Sequence, residues 1–172
     1  MKQFVTTMVL ALITMLAIAQ TPDSRGYIVK VGDMAPDFEM TLTDGSNVKL
    51  SDLRGQVVML QFTASWCGVC RKEMPHIEKQ IWQAYKDKGL KVFGVDRDEP
   101  VEKALEMVKS TGITYAMGLD PNADIFGLYA DKKAGVTRNV LINKDGKIVF
   151  LTRLFNEEEF ATLVKKIGEE VK

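Results

Sequence analysis

The octapeptide Val57-Val58-Met59-Leu60-Gln61-Phe62-Thr63-Ala64 constrains this chain more than any other stretch. It is β-prone and apolar on successive residues rather than alternate ones, so a strand built from it has two faces to bury. Such a strand belongs at the centre of a sheet covered on both sides. The segment "LKVFGVD", from Leu90 to Asp96, repeats the pattern. Between them, Met74, Ile77, Ile81 and Tyr85 recur at helical spacing and stop near Gly89. A second helix is expected from Pro100, with Val101, Leu105 and Val108 on one face and an end at Gly112.

The remaining elements follow from the same rules. "ITYAMGLD" reads as a short strand and "NADIFGLYA" as a short helix. "RNVLINKDGKIVFLTRL" reads as two strands joined by a turn at Asn143–Gly146. A final helix buries Phe160, Leu163, Val164 and Ile167, with Asn156 as its cap and Glu157–Glu159 in its first turn. Upstream, Phe38–Leu42 and Asn47–Leu50 flank Asp44-Gly45, a hairpin signal. The order is a hairpin, then β-α-β-α-β-α-β-β-α, which is an α/β chain with a central sheet flanked by helices.

Residues 1–19 carry a different signal. Lys2 precedes an apolar run from Met8 to Ile18, and Ala17-Ile18-Ala19 matches the small-residue pattern of a cleaved export signal. The competing reading, an uncleaved membrane anchor, needs ~20 apolar residues, and this run is shorter. The expectation is therefore a signal peptide at 1–19, a leader at 20–34 that is flexible or lies along the surface, and one domain at 35–172. In a bacterium the mature protein would be periplasmic, where disulfides persist. The 172 residues carry 23 basic and 23 acidic side chains, with no basic block, so nucleic acid is not an expected partner. Nothing in the surface pattern calls for a dimer, and a monomer is expected.

The chain has two cysteines, Cys67 and Cys70, placed between the buried strand and the first helix. At a helix N-terminus the free N–H groups and the dipole favour a thiolate, the species that attacks disulfides. Cys70 stands one turn later, within reach of a mixed disulfide at Cys67. Zinc commonly takes four Cys or His ligands, and beyond this pair the chain offers only His76. A copper-carrying pair and a purely structural bridge are the other readings, although the bridge would close too small a loop to constrain the unfolded chain much. His76, six residues past Cys70, reads as a surface or capping side chain.

The segment Trp66-Cys67-Gly68-Val69-Cys70-Arg71-Lys72-Glu73-Met74-Pro75 resembles the active-site signature of the thioredoxin superfamily. Together with the opening "GDMAPDFEMTLTDG" it is similar to the exported TlpA/ResA-like branch, related to the AhpC/TSA group, over about residues 32–168. The resemblance implies a thioredoxin-like fold, with the hairpin as an N-terminal extension and a central helical insertion. It implies thiol–disulfide oxidoreductase activity on protein disulfides, no cofactor, no metal and a membrane thiol donor. Pro75 would kink the first helix. Cys67, Cys70 and Glu99 would be catalytic, Glu99 relaying a proton unless it merely caps the next helix. Trp66, Val136 and Thr137 would contact substrate.

Three departures matter. Val69 stands where the family usually has proline. Gln61 stands where thioredoxin has a buried aspartate. Thr137 stands where the family has a cis-proline. A cis bond before a non-proline residue costs ~3–4 kcal/mol, so Val136–Thr137 is expected trans, with a different docking backbone. Thr137-Arg138 also raises an alternative, a thiol peroxidase of AhpC/TSA type, although Thr63 lies four residues before Cys67 rather than three. A structural arginine is the other reading of Arg138.

Overall fold

The computed structural model describes residues 21–172. The expected signal peptide lies outside the described residues, among which no helix is long and apolar enough to cross a membrane. A hairpin pairs β1 (Glu39–Thr41) with β2 (Asn47–Lys49). The strands that follow are β3 (Val57–Thr63), β4 (Leu90–Arg97), β5 (Ala116–Asp120), β6 (Arg138–Ile142) and β7 (Ile148–Arg153). They form a separate five-stranded sheet in the order β5-β4-β3-β6-β7. β3, β4 and β5 are parallel, and β6 and β7 are antiparallel to their neighbours.

Every residue of β3 is buried, as a two-faced central strand requires. Val57 and Met59 point into a core with Met74, Ile77, Ile81, Ala104, Met107, Phe160, Leu163 and Ile167. These come from α1 (Gly68–His76) and its continuation, from α3 (Val101–Thr111) and from α5 (Glu157–Glu170). Val58, Leu60 and Phe62 point the other way, into a core closed by Tyr27, Phe38, Met40, Leu42, Leu50, Phe126 and Tyr129. Here the cover is the N-terminal segment, the hairpin and the short α4 (Phe126–Tyr129). The strand alternation thus divides the chain into two chemically different faces.

The long helix after the cysteines changes its winding. α1 contains Pro75, a π-helical stretch occupies Ile77–Trp82, and α2 (Gln83–Tyr85) continues it. Pro75 has no N–H to donate, so the ladder re-forms around it with wider turns. The helix stops before Gly89, which is left-handed at φ 84°. α5 is capped as expected, Asn156 Oδ1 accepting from the Glu159 amide at 3.0 Å.

The segment read as a leader is fastened across the strand edges. Tyr27 is buried, and its hydroxyl donates to Thr152 O at 2.6 Å and Asn139 O at 3.3 Å. Backbone bonds join Ile28 to Tyr129, Gly32 and Asp33 to Ile148, and Asp131 to Gly26. Gly26 is left-handed (φ 85°), and a Cβ there would come within 2.9 Å of Ala134 Cβ, so the strap needs glycine at this crossing. We expect Tyr27→Phe to lower the unfolding free energy by about 1 kcal/mol, and Tyr27→Ala by about 3–5 kcal/mol, in urea titrations. A cost below about 1 kcal/mol for Tyr27→Ala would mean that the strap does not hold the sheet.

Candidate functional site

The sheet brings Cys67 to the carboxyl end of β3, where α1 begins. Cys67 is the residue that caps α1, and its Sγ accepts from the Cys70 amide at 3.1 Å. Cys67 and Cys70 form a disulfide, with their Cα atoms 5.3 Å apart. The two cysteines are not equivalent: Cys67 is 6% exposed and Cys70 is 0% exposed. Beside them Trp66 is 62% exposed, an unusual state for tryptophan in a folded domain. Val136 is buried in the same core cluster as both cysteines.

The Val136–Thr137 peptide is cis, which corrects the trans bond expected from the sequence. The expectation weighed only the local cost of the bond, whereas tertiary contacts hold both sides of it. Thr137 Oγ1 donates to Glu73 Oε2 at 3.0 Å, and Thr137 O accepts from the Leu154 amide at 3.1 Å. Arg138 Nε donates to Gly135 O at 3.0 Å. The Val136–Thr137 backbone therefore does not take the trans course expected for it.

Glu73, which sequence reasoning passed over, is the buried hub of the site. It is 1% exposed and follows Cys70 by one turn of α1. Besides the Thr137 hydroxyl it accepts from Gln61 Nε2 at 3.1 Å and Asn139 Nδ2 at 2.7 Å. Tyr115 completes the network, its hydroxyl donating to Gln61 Oε1 at 2.8 Å. Burial raises the Glu73 carboxyl above the ordinary range, opposed by its three donors. The available signal was positional: Glu73 interrupts the buried stripe of Cys70, Met74 and Ile77.

Glu99 binds the chain just ahead of Cys67. Its Oε1 accepts from the Ser65 hydroxyl at 2.6 Å and its Oε2 from the Ser65 amide, so it fixes the turn between β3 and Cys67. Asp96, at the end of β4, is fully buried, and neither of its oxygens meets a donor. Burial, and then the charge of Glu99, push its carboxyl up to about 8. Asp96 meets Glu99 favourably only as a protonated acid.

Arg138 is taken up by structure. It is buried, stacks its guanidinium 4.6 Å from the Tyr27 ring, and donates to the carbonyls of Gly135 and Arg25. Thr63 Oγ1 faces Met107 Sδ at 3.8 Å. His76 lies against Phe155 and Phe160, with ring centroids 4.9 and 6.1 Å away.

A parallel-antiparallel sheet with a redox disulfide where its central strand meets a helix defines a thiol–disulfide oxidoreductase of the thioredoxin superfamily, in the TlpA/ResA-like branch. More particularly, the chain belongs to the AhpC/TSA family, whose pattern matches residues 31–151. It is 33% identical over 121 residues to the thiol-disulfide oxidoreductase ResA of Bacillus cereus, covering 70% of this chain and 68% of that one. A solution structure of a candidate protein disulfide isomerase from Bacteroides thetaiotaomicron is 66% identical, with a TM-score of 0.84 over 87% of this chain and 94% of that one. The thioredoxin domain of a thiol-disulfide oxidoreductase from Bacteroides vulgatus is 25% identical, with a TM-score of 0.68 over 80% of this chain and 97% of that one.

Asp96 makes the site's clearest pH signature. Its folded value lies above the ordinary 3.8, so the folded state binds more protons than the unfolded state between 3.8 and about 8. Stability then falls as pH rises through that window and is flat above it. Asp96→Asn removes the titration and supplies an amide that can donate to Glu99. We expect the variant's advantage in urea midpoint to appear above pH 4 and to level off past pH 8, at about 1–3 kcal/mol. An advantage independent of pH would contradict this account of Asp96.

Proposed function

We propose that the mature protein is an exported reductant of protein disulfides, working by dithiol exchange in an oxidising compartment such as the periplasm. The observation that carries the assignment of roles is the unequal exposure of the two cysteines, together with the Cys70 amide directed at Cys67 Sγ. That amide and the α1 N-terminus favour a thiolate on Cys67 once the pair is reduced.

In this reading the Cys67 thiolate attacks one sulfur of a substrate disulfide. The substrate S–S bond breaks, its second sulfur leaves as a thiolate, and a mixed disulfide forms on Cys67. Cys70 then loses its proton and attacks Cys67 Sγ. The mixed disulfide breaks, the first substrate sulfur leaves, and the Cys67–Cys70 bond closes. Two electrons pass to the substrate, whose two thiolates take up protons. Glu73 is the group we assign to hold the proton released by Cys70, because a buried carboxyl raised by desolvation sits one turn away. Glu99, with Asp96, instead sets the Ser65 turn that presents Cys67.

Trp66, Val136 and Thr137 form the substrate contact in this proposal. An extended polypeptide would lie along the Gly135–Thr137 backbone, with Trp66 as an aromatic wall. A membrane thiol donor would return the Cys67–Cys70 pair to the reduced state. The peroxidase alternative finds less support, since Arg138 stacks on Tyr27 and commits Nε and Nη2 to two carbonyls, leaving only a buried Nη1 without a partner.

Rapid mixing of the reduced domain with a peptide disulfide, followed by Trp66 fluorescence, tests the scheme. Cys67→Ser should be inert, and Cys70→Ser should stop at a mixed disulfide detectable by mass. Glu73→Gln should form that adduct normally and resolve it slower by on the order of a hundredfold. Faster oxidation of the reduced protein by hydrogen peroxide than by the peptide disulfide would replace this reading with the peroxidase.

A further inference from the structure

The segment between α4 and β6, residues 130–137, carries the cis bond; Ala130 and Val136 anchor its two ends in the core, while the stretch between them is largely exposed. Lys132, Lys133 and Asp131 are exposed. Besides backbone bonds from its own amides, its carbonyls accept from three guanidinium groups, those of Arg97 and Arg153 on other strands and that of the adjoining Arg138. Arg97, the last residue of β4, donates from Nη1 to Ala134 O at 3.1 Å and from Nη2 to Lys132 O at 3.0 Å. Arg138 donates to Gly135 O, and Arg153 Nη1 reaches Thr137 O at 3.4 Å. Arg97 is only 8% exposed.

The fork of Arg97 is itself stacked on an aromatic ring that Arg138, seated on Tyr27, approaches from farther away. Arg97 Cζ lies 4.0 Å from the Phe126 centroid, and Arg138 Cζ lies 5.9 Å from it. Phe126 is fully buried, edge-on to Phe62 of the central strand at 5.5 Å. Asp98 pairs with Arg97 at 2.6 Å and orients it from outside. A planar, permanently charged fork stacked on a rigid ring loses little freedom when it takes up two carbonyls, which an ammonium cannot imitate. The ring, Arg97 and the loop therefore form one unit rooted in β3.

We propose that Arg97 is a positioning residue for polypeptide substrates: by gripping the carbonyls of Lys132 and Ala134 it preforms the loop that carries residues 135–137, and so sets the affinity of docking while leaving the sulfur chemistry untouched. The inference rests on the reading that the Gly135–Thr137 backbone receives the substrate. A loop already in its bound shape binds an extended chain without a further loss of ordering entropy. A small disulfide, which needs only access to Cys67, gains nothing from the grip.

Kinetics of the full mature chain test this. Arg97→Lys keeps the charge and the stem over Phe126 and loses the fork. We expect KM for a peptide disulfide to rise about tenfold with kcat unchanged, and the rate with a small symmetrical aromatic disulfide to stay within about twofold. The reduction potential of the Cys67–Cys70 pair should not move. Equal losses on both substrates, or a shifted potential, would overturn the proposal, as would an unchanged KM for the peptide. Val136→Asp separates the two claims. If it leaves the peptide reaction unaltered, the docking reading itself fails. If it weakens the peptide reaction while Arg97→Lys does not, only the role of Arg97 fails. Amide exchange on the unmodified protein guards against a misfolded variant. Protection of the Ala134 and Leu154 amides comparable to that of β6 supports a preformed loop, and exchange as fast as in an open coil contradicts it.

Discussion

The structure turns on one buried carboxylate. Glu73 projects from the helix that carries the cysteines and takes donors from the central strand (Gln61), from β6 (Asn139) and from the cis loop (Thr137). A carboxyl in so dry a place is tolerable only with its lone pairs met. The same bonds that satisfy it fix α1 over the sheet and hold Thr137 beside it. Removing the side chain would leave the Gln61 amide and the Thr137 hydroxyl without a partner and take one of two acceptors from Asn139 Nδ2, so position and chemistry are bound together at this point.

The two faces of the sheet divide the work. On the helix side, β3 and β6 contribute Gln61 and Asn139, which lie opposite each other in register and surround Glu73. On the other side the next pair, Phe62 and Arg138, also lie opposite each other and belong to the scaffold of the loop. In the proposed scheme one face manages the proton of Cys70, and the other shapes the backbone that receives the substrate. The period of two along a strand is enough to keep the two tasks from interfering.

Much of this was legible in the sequence, and the parts that were not share a cause. β3 and β4 announce themselves because burial on both faces demands unbroken apolar runs. The helices follow from spacing, and the cysteines from their place between the two. The strap was unreadable because Tyr27 is held by the carbonyls of Asn139 and Thr152, and carbonyls carry no sequence identity. Arg97 escaped for the same reason. The cis bond at Val136–Thr137 was misjudged because its local cost is visible and its tertiary support is not. Glu99 was drawn in by the family resemblance, whereas Glu73 hid inside the cysteine motif, in a run of charged residues that reads as solvent-facing.

The central claim is that Cys67 is the more accessible, thiolate-stabilised nucleophile and Cys70 its buried partner. The most direct test is alkylation of the fully reduced protein with iodoacetamide across pH, with each cysteine quantified separately by mass spectrometry. The account predicts that Cys67 is modified first, along a titration curve falling below the ~8.5 of a free thiol, while Cys70 stays protected. Equal reactivity at the two sulfurs, or faster modification of Cys70, would contradict it.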